Sequence, residues 1–163
     1  MMKRVEANDV ASISLMANHY EHGLGGVQQD QAKAMELYTR AADLGHSKAH
    51  SSLGVIYEGE GDSKKAMFHY EVAAMAGHEL SRFNVGLIEA ESGNMERAVK
   101  HWNIAASAGN YRAMFTLIKF FEKGAVSRES IDSTLTAYNN SCAEMRSESR
   151  YNYILTKVRT RPR

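Results

Sequence analysis

KAMFHYEVAAMAGH, residues 65–78, decides the fold, because the same pattern stands twice more in the chain. KAMELYTRAADLGH occupies 33–46 and RAVKHWNIAASAGN occupies 97–110. Ala34, Ala66 and Ala98 stand 32 residues apart, and four residues after each comes an aromatic, Tyr38, Tyr70 or Trp102. An alanine pair follows (41–42, 73–74, 105–106), and then Gly45, Gly77 or Gly109. Spacings of three, four and seven place these residues on one stripe of a helix. The glycines stand where a left-handed residue ends a helix.

A second series precedes each segment. Ala49, Leu53, Gly54 and Tyr57 recur as Ser81, Val85, Gly86 and Glu89. Upstream the same places hold Ser12, Met16, Ala17 and Tyr20, followed by a loop five residues longer. Downstream they hold Ala113, Leu117, Ile118 and Phe121. Small residues at these positions let neighbouring helices approach, and the aromatics fill the space between them. GLGGVQQD, GEGD and SGN read as the turns inside each helix pair, with Asp62 and Asn94 as N-caps. A lone pair cannot bury its apolar face, so the pairs must stack.

Composition agrees with helix. Pro162 is the one proline in 163 residues, so nothing earlier interrupts a helix by removing a donor. The expected class is all-α, a right-handed α-solenoid of about four antiparallel helix pairs. The expected organisation is a single domain over 1–163, with repeats at 9–46, 47–78, 79–110 and 111–143. SRESIDSTLTAYNNSCAEM keeps an apolar stripe (Ile131, Leu135, Tyr138, Cys142) but loses the alanine pair and glycine. A C-terminal capping helix is expected at 144–159, followed by a basic tail at 160–163.

The spacing of Leu53, Gly54, Tyr57, Ala66, Tyr70 and Ala73 resembles a tetratricopeptide repeat. Two departures stand out: His78 replaces the proline expected near the repeat end, and the period is shorter than 34. The AAxxG ending followed by His or Asn, with the GxGGVxxD loop from Gly23 to Asp30, resembles Sel1-like repeats instead. The resemblance covers about residues 9–125. It implies a scaffold or adaptor that binds a peptide or protein on the concave face of the stack.

On that resemblance the first helix of each pair lines the groove. The groove positions are then Ser14, Leu15, Asn18 and His22, and next Lys48, Ser51, Ser52, Val55 and Glu58. The third repeat contributes Leu80, Phe83, Asn84, Leu87 and Glu91, and the fourth Arg112, Phe115, Thr116, Lys119 and Lys123. Nine of these are the expected partner-binding residues: Asn18, Ser51, Val55, Phe83, Asn84, Leu87, Phe115, Thr116 and Lys119. Asparagine bonds a peptide backbone, lysine holds a carboxylate, and apolar residues seat anchors. Phe83, Leu87 and Phe115 carry a second reading, as packing between adjacent pairs.

Chemistry finds little support. His46 with His50, and His19 with His22, have ligand spacings, but His46/His78 and His69/His101 are repeat equivalents, explained by duplication. Cys142 is the only cysteine and lies on an apolar stripe, which suits a small buried hydrophobe. The glycines at 23, 25 and 26 follow no strand and precede no Lys-Ser/Thr, so they form no phosphate loop. The expectation is a non-enzymatic protein without cofactor, metal or small-molecule substrate.

Twenty Lys and Arg against nineteen Asp and Glu give a net charge of +1, too little field to gather nucleic acid or an anionic membrane. The basic residues after Ala143 (Lys157, Arg159, Arg161 and Arg163 among them) leave nucleic-acid contact as a lesser alternative, below self-association as a homodimer. MMKRVEANDV has no apolar run of a signal peptide, and a lone cysteine fits a reducing compartment. The expected location is therefore cytoplasmic.

Overall fold

The computed structural model describes residues 9–145, with side chains to residue 143. Among them are eight helices and no strand: α1 (Val10–His22), α2 (Gln31–Asp43), α3 (Ser47–Gly59), α4 (Ser63–Met75), α5 (Glu79–Glu91), α6 (Met95–Ser107), α7 (Tyr111–Glu122) and α8 (Arg128–Met145). They gather into two compact units that divide between His78 and Glu79. The first holds the pairs α1–α2 and α3–α4, the second the pairs α5–α6 and α7–α8. The expected all-α architecture of helix pairs is present. The tail, and all of the capping helix past residue 145, lie outside the described residues.

The links between helices are short because the closing bonds of one helix run directly into the start of the next. After α2, the amide of Gly45 donates to the Ala42 carbonyl at 2.8 Å and that of His46 to Ala41 at 3.0 Å. Gly45 has φ 86°, a left-handed conformation that costs glycine nothing and lets both bonds close. The alanine pair thus supplies the two carbonyls that end the helix. The same two bonds follow α4 and α6, and Asp62 and Asn94 close α3 and α5 in the same way. Asp62 then accepts from the Lys65 amide at 3.1 Å and Asn110 from the Ala113 amide at 2.9 Å, so one residue ends a helix and starts the next. The longer loop between α1 and α2 ends on an equivalent bond, Asp30 amide to Tyr20 carbonyl at 2.8 Å. Its five extra residues bulge outward without altering the pair.

The first three pairs are each locked by an aromatic on the second helix, Tyr38, Tyr70 or Trp102, lying against the first. A Cβ built on Gly54 would stand 2.5 Å from Cδ1 of Tyr70, and one on Gly86 would collide with the indole of Trp102. These glycines mark the closest helix approach. In the fourth pair the glycine contact is gone. Ile118 stands at the glycine position and Leu135 at the aromatic one, eight residues past Ser127 as Trp102 is past Asn94, and both are buried.

The core of the first unit gathers Ile13, Ala17, Leu37, Tyr38 and Leu53. That of the second gathers Trp102, Met114, Leu117, Ile131 and Tyr138. Cys142 is buried there at 6% exposure, on the stripe the spacing indicated. Asn94 sits at the N-cap of α6, but its side chain makes no cap bond. Its amide instead donates to Glu89 Oε2 at 2.9 Å, because Glu89 is buried at 3% exposure and must be satisfied.

Candidate functional site

The first helices α1, α3, α5 and α7 put their alanines, glycines and branched residues inward, which leaves one face of each free. Along that face the four pairs keep no common residue. Ala11, Leu15, Asn18 and His22 of α1 correspond to Lys48, Ser52, Val55 and Gly59 of α3. They correspond again to Leu80, Asn84, Leu87 and Glu91 of α5, and to Arg112, Thr116, Lys119 and Lys123 of α7. The framework repeats and the outward stripe varies.

In the first unit a cavity of about 350 Å³ opens between α1 and α3, lined by Ala11, Ser14, Leu15, Asn18, Tyr38, His46, Lys48 and Ser52. Five of these are groove positions expected from spacing; Ala11, Tyr38 and His46 are not. Tyr38 enters because its ring spans the pair, and its hydroxyl donates to Glu21 Oε2 at 2.7 Å. Burial, and then the bond to the Glu21 carboxylate, push this phenol up to about 12, while the Ser52 and Asn18 side chains pull it the other way. The hydroxyl therefore stays a neutral donor at physiological pH. Asn18 also approaches His22 Nδ1, at 3.4 Å. The cavity combines an amide, hydroxyls and the Lys48 ammonium with an apolar rim at Leu15, which is 57% exposed. That set can bond both the carbonyls and the amides of an extended backbone while seating one apolar side chain.

The other expected residues divide by environment. Ser51 is half-buried and Val55 is 52% exposed, farther along α3. In the second unit Asn84, Leu87, Phe115 and Thr116 are half-buried and Lys119 is exposed, its Nζ 4.7 Å from the Phe115 centroid. Phe83 is only 7% exposed and belongs to the core, where its carbonyl accepts from the Trp102 indole at 3.3 Å. Leu87 packs partly against the same core.

Two further features went unread in the sequence. A cavity of about 420 Å³ lies between α6 and α8, lined by Asn103, Ile104, Ser107, Ser130, Ser133 and Thr134. The repeat pattern did not mark it, because α8 starts one residue off the 32-residue period, at the cap Ser127. The histidines also pair across helices: His50 Nδ1 and His69 Nδ1 are 2.9 Å apart, with the Tyr57 ring stacked on His69. Burial holds both below the usual histidine range, and at His69 the charge of His50 adds to it. Among the described residues no group of three or more His, Cys, Asp or Glu is placed to hold a metal ion.

A model of the Sel1 repeat matches residues 10–46, 47–78 and 84–110, over half of the chain. The chain belongs to the Sel1 repeat family. Solved structures agree with its Sel1 fold. A Sel1 repeat protein from Oxalobacter formigenes is 21% identical, with TM-score 0.72, over 95% of this chain and 74% of that one. The c5321 protective antigen of uropathogenic Escherichia coli, with an SLR fold, is 20% identical with TM-score 0.70; the match covers 96% of this chain but only 38% of c5321. Immunity protein Pa5087 from Pseudomonas aeruginosa is 19% identical with TM-score 0.53, over 85% of this chain and 71% of that one. No curated protein matches the chain. Sel1-like repeat proteins generally act as protein-interaction scaffolds. No described helix is long and apolar enough to cross a membrane.

Proposed function

We propose that this Sel1 protein is a non-catalytic scaffold that holds an extended segment of a partner protein against its first helices. The observation that carries the reading is the α1–α3 cavity, where Asn18, Ser52 and the Tyr38 hydroxyl converge beside exposed Leu15. Support also comes from the outward stripe, which changes from pair to pair over a constant framework. Asn18, Ser51, Val55, Asn84, Leu87, Phe115, Thr116 and Lys119 contact the partner in this reading, and Phe83 supports them from the core. The single cysteine, buried in α8, suits a reducing compartment, and we place the protein in the cytoplasm.

Photo-crosslinking tests the face. A benzophenone residue at Val55 or Leu87 is expected to trap a partner, and one at Glu36 or Lys100 on the second helices is not. Adducts only at Glu36 and Lys100 would overturn the assignment.

One observation favours self-association as a second reading. Phe68 and Met75 of α4 are 58% and 82% exposed, where the neighbouring repeats carry Glu36 and Lys100, and Asp43 and Ser107. Light scattering across a hundredfold range of concentration decides it, because Phe68→Glu with Met75→Glu would abolish any dimer formed through this face.

A further inference from the structure

The solvent stripe of α7 differs in kind from the other three. Arg112, Lys119 and Lys123 are exposed. With Thr116 they fall within a band about 60° wide, opposite the buried Ala113, Leu117 and Phe121, by the turn of about 100° per residue. Among the described residues none of these three cations lies within ion-pair distance of an acid. Other lysines of the chain do: Lys33 meets Glu36 at 2.8 Å, Lys65 meets Asp62 at 3.1 Å and Lys100 meets Glu96 at 2.7 Å. The corresponding stripe holds one lysine in α3 and no lysine or arginine in α1 or α5, so the framework does not demand the charges. Helix electrostatics account for part of the row only. Lysines suit the C-terminal end, where Lys119 and Lys123 stand, but Arg112 occupies the first turn, where a cation is disfavoured.

The ammonium groups are also positioned. Lys119 Nζ lies 4.7 Å from the Phe115 centroid and Lys123 Nζ 5.7 Å from that of Phe120. A cation resting on a ring has fewer conformations to lose when an anion arrives. Four residues of helix advance about 6 Å, and two residues of extended chain advance about 6.6 Å. Carboxylates on alternate residues of an extended peptide therefore meet Lys119 and Lys123 in register.

We propose that the α7 stripe receives an acidic segment of the partner polypeptide, with Asp or Glu carboxylates seated on Arg112, Lys119 and Lys123. This rests on the reading that the first helices carry the partner. Carboxylates fit better than a nucleic acid, because the rings on which a base would stack are engaged by ammonium groups. A net charge of +1 also gives no long-range field for a phosphodiester chain.

The test uses the full chain and three fluorescein-labelled probes followed by anisotropy: a twelve-residue peptide alternating Glu with Ala, its Gln-Ala counterpart, and a twelve-nucleotide single-stranded RNA. The Glu peptide should bind more tightly than the other two. Its affinity should fall about tenfold with Lys119→Gln and Lys123→Gln together, and should not change with Lys64→Gln on α4. Lys119→Glu with Lys123→Glu should reverse the preference toward a Lys-Ala peptide. Equal binding of the Glu peptide by wild type and the double Gln variant overturns the proposal, as does tighter Lys119-dependent binding of RNA. If Val55 and Leu87 still crosslink a partner after that result, the scaffold reading stands and only the acidic segment is lost. If they trap nothing, the scaffold reading falls as well.

Discussion

The second and third helix pairs solve one packing problem in two ways. In the second, Tyr70 lies against Gly54 and its hydroxyl donates to Glu58 at 2.7 Å; the first pair does the same with Tyr38 and Glu21. In the third pair Trp102 lies against Gly86, and Ala90 stands where a hydroxyl would need Glu. The indole turns to the Phe83 carbonyl instead. A carboxylate reappears one position earlier, as buried Glu89, held by Arg97 at 2.9 Å and Asn94 at 2.9 Å. The aromatic's polar end must find a partner when buried, and changing the ring moved every partner with it. The lesson is that the repeat preserves volume and satisfaction, not particular hydrogen bonds.

Trp102→Ala should have the largest effect, destabilising the second unit by about 3–5 kcal/mol, as for other buried aromatics cut to alanine; thermal melts by circular dichroism report it. Gly86→Ala follows, at about 1–3 kcal/mol for overpacking. Trp102, the chain's only tryptophan, reports that loss by its fluorescence in urea. A cost below ~0.5 kcal/mol would mean that the helices part easily and the glycine is not needed there.

Tyr70→Phe should cost about 1 kcal/mol for the lost bond to Glu58. The second pair's solution can be moved into the third. Trp102→Tyr with Ala90→Glu should be less damaging than the two single changes added, with a coupling of about 1 kcal/mol in a double-mutant cycle. Strict additivity would show that the Tyr–Glu bond does not transfer.

The smallest effect concerns the histidines. His50 and His69 stand where the first pair has Ile13 and Leu37, both buried. Both histidines titrate below 6.5 in the fold, mainly through burial, so near and below that pH the unfolded chain binds more protons. Their contribution is whole above about pH 6.5 and is lost as pH falls through the folded values. A bond to the Ala42 backbone and then the charge of Asp43 ease the protonation of His50, while the Tyr57 and Phe68 rings pack against His69 and Lys65 lies over Tyr57. Replacing His50 by Ile and His69 by Leu, as in the first pair, should flatten the difference in urea midpoint between pH 7.5 and 5.5. An unchanged difference would assign the pH dependence to other groups.

Much of this was legible beforehand, because short-range rules wrote it. The 32-residue recurrence, the Ala-Ala-x-x-Gly ends and the apolar stripe through Ile131 and Cys142 are consequences of helical period and of which residues tolerate a left-handed turn. Asn94 shows where such rules stop. Its position marks an N-cap, but its amide serves a buried carboxylate from the preceding helix. Phe83 shows the same limit. Spacing puts it beside the groove, and only the bulk of Trp102 and its neighbours determines that the ring is covered.

Sequence alone, then, determined the helices, their pairing and the small residues at the contacts, since each follows from spacing within a few turns of chain. Tertiary structure decided that the Tyr38 hydroxyl meets Asn18 and Ser52 in one cavity and that His50 faces His69. It also determined which stripe residues keep their exposure. Those outcomes depend on how side chains from separate helices divide a shared volume, which no local period encodes.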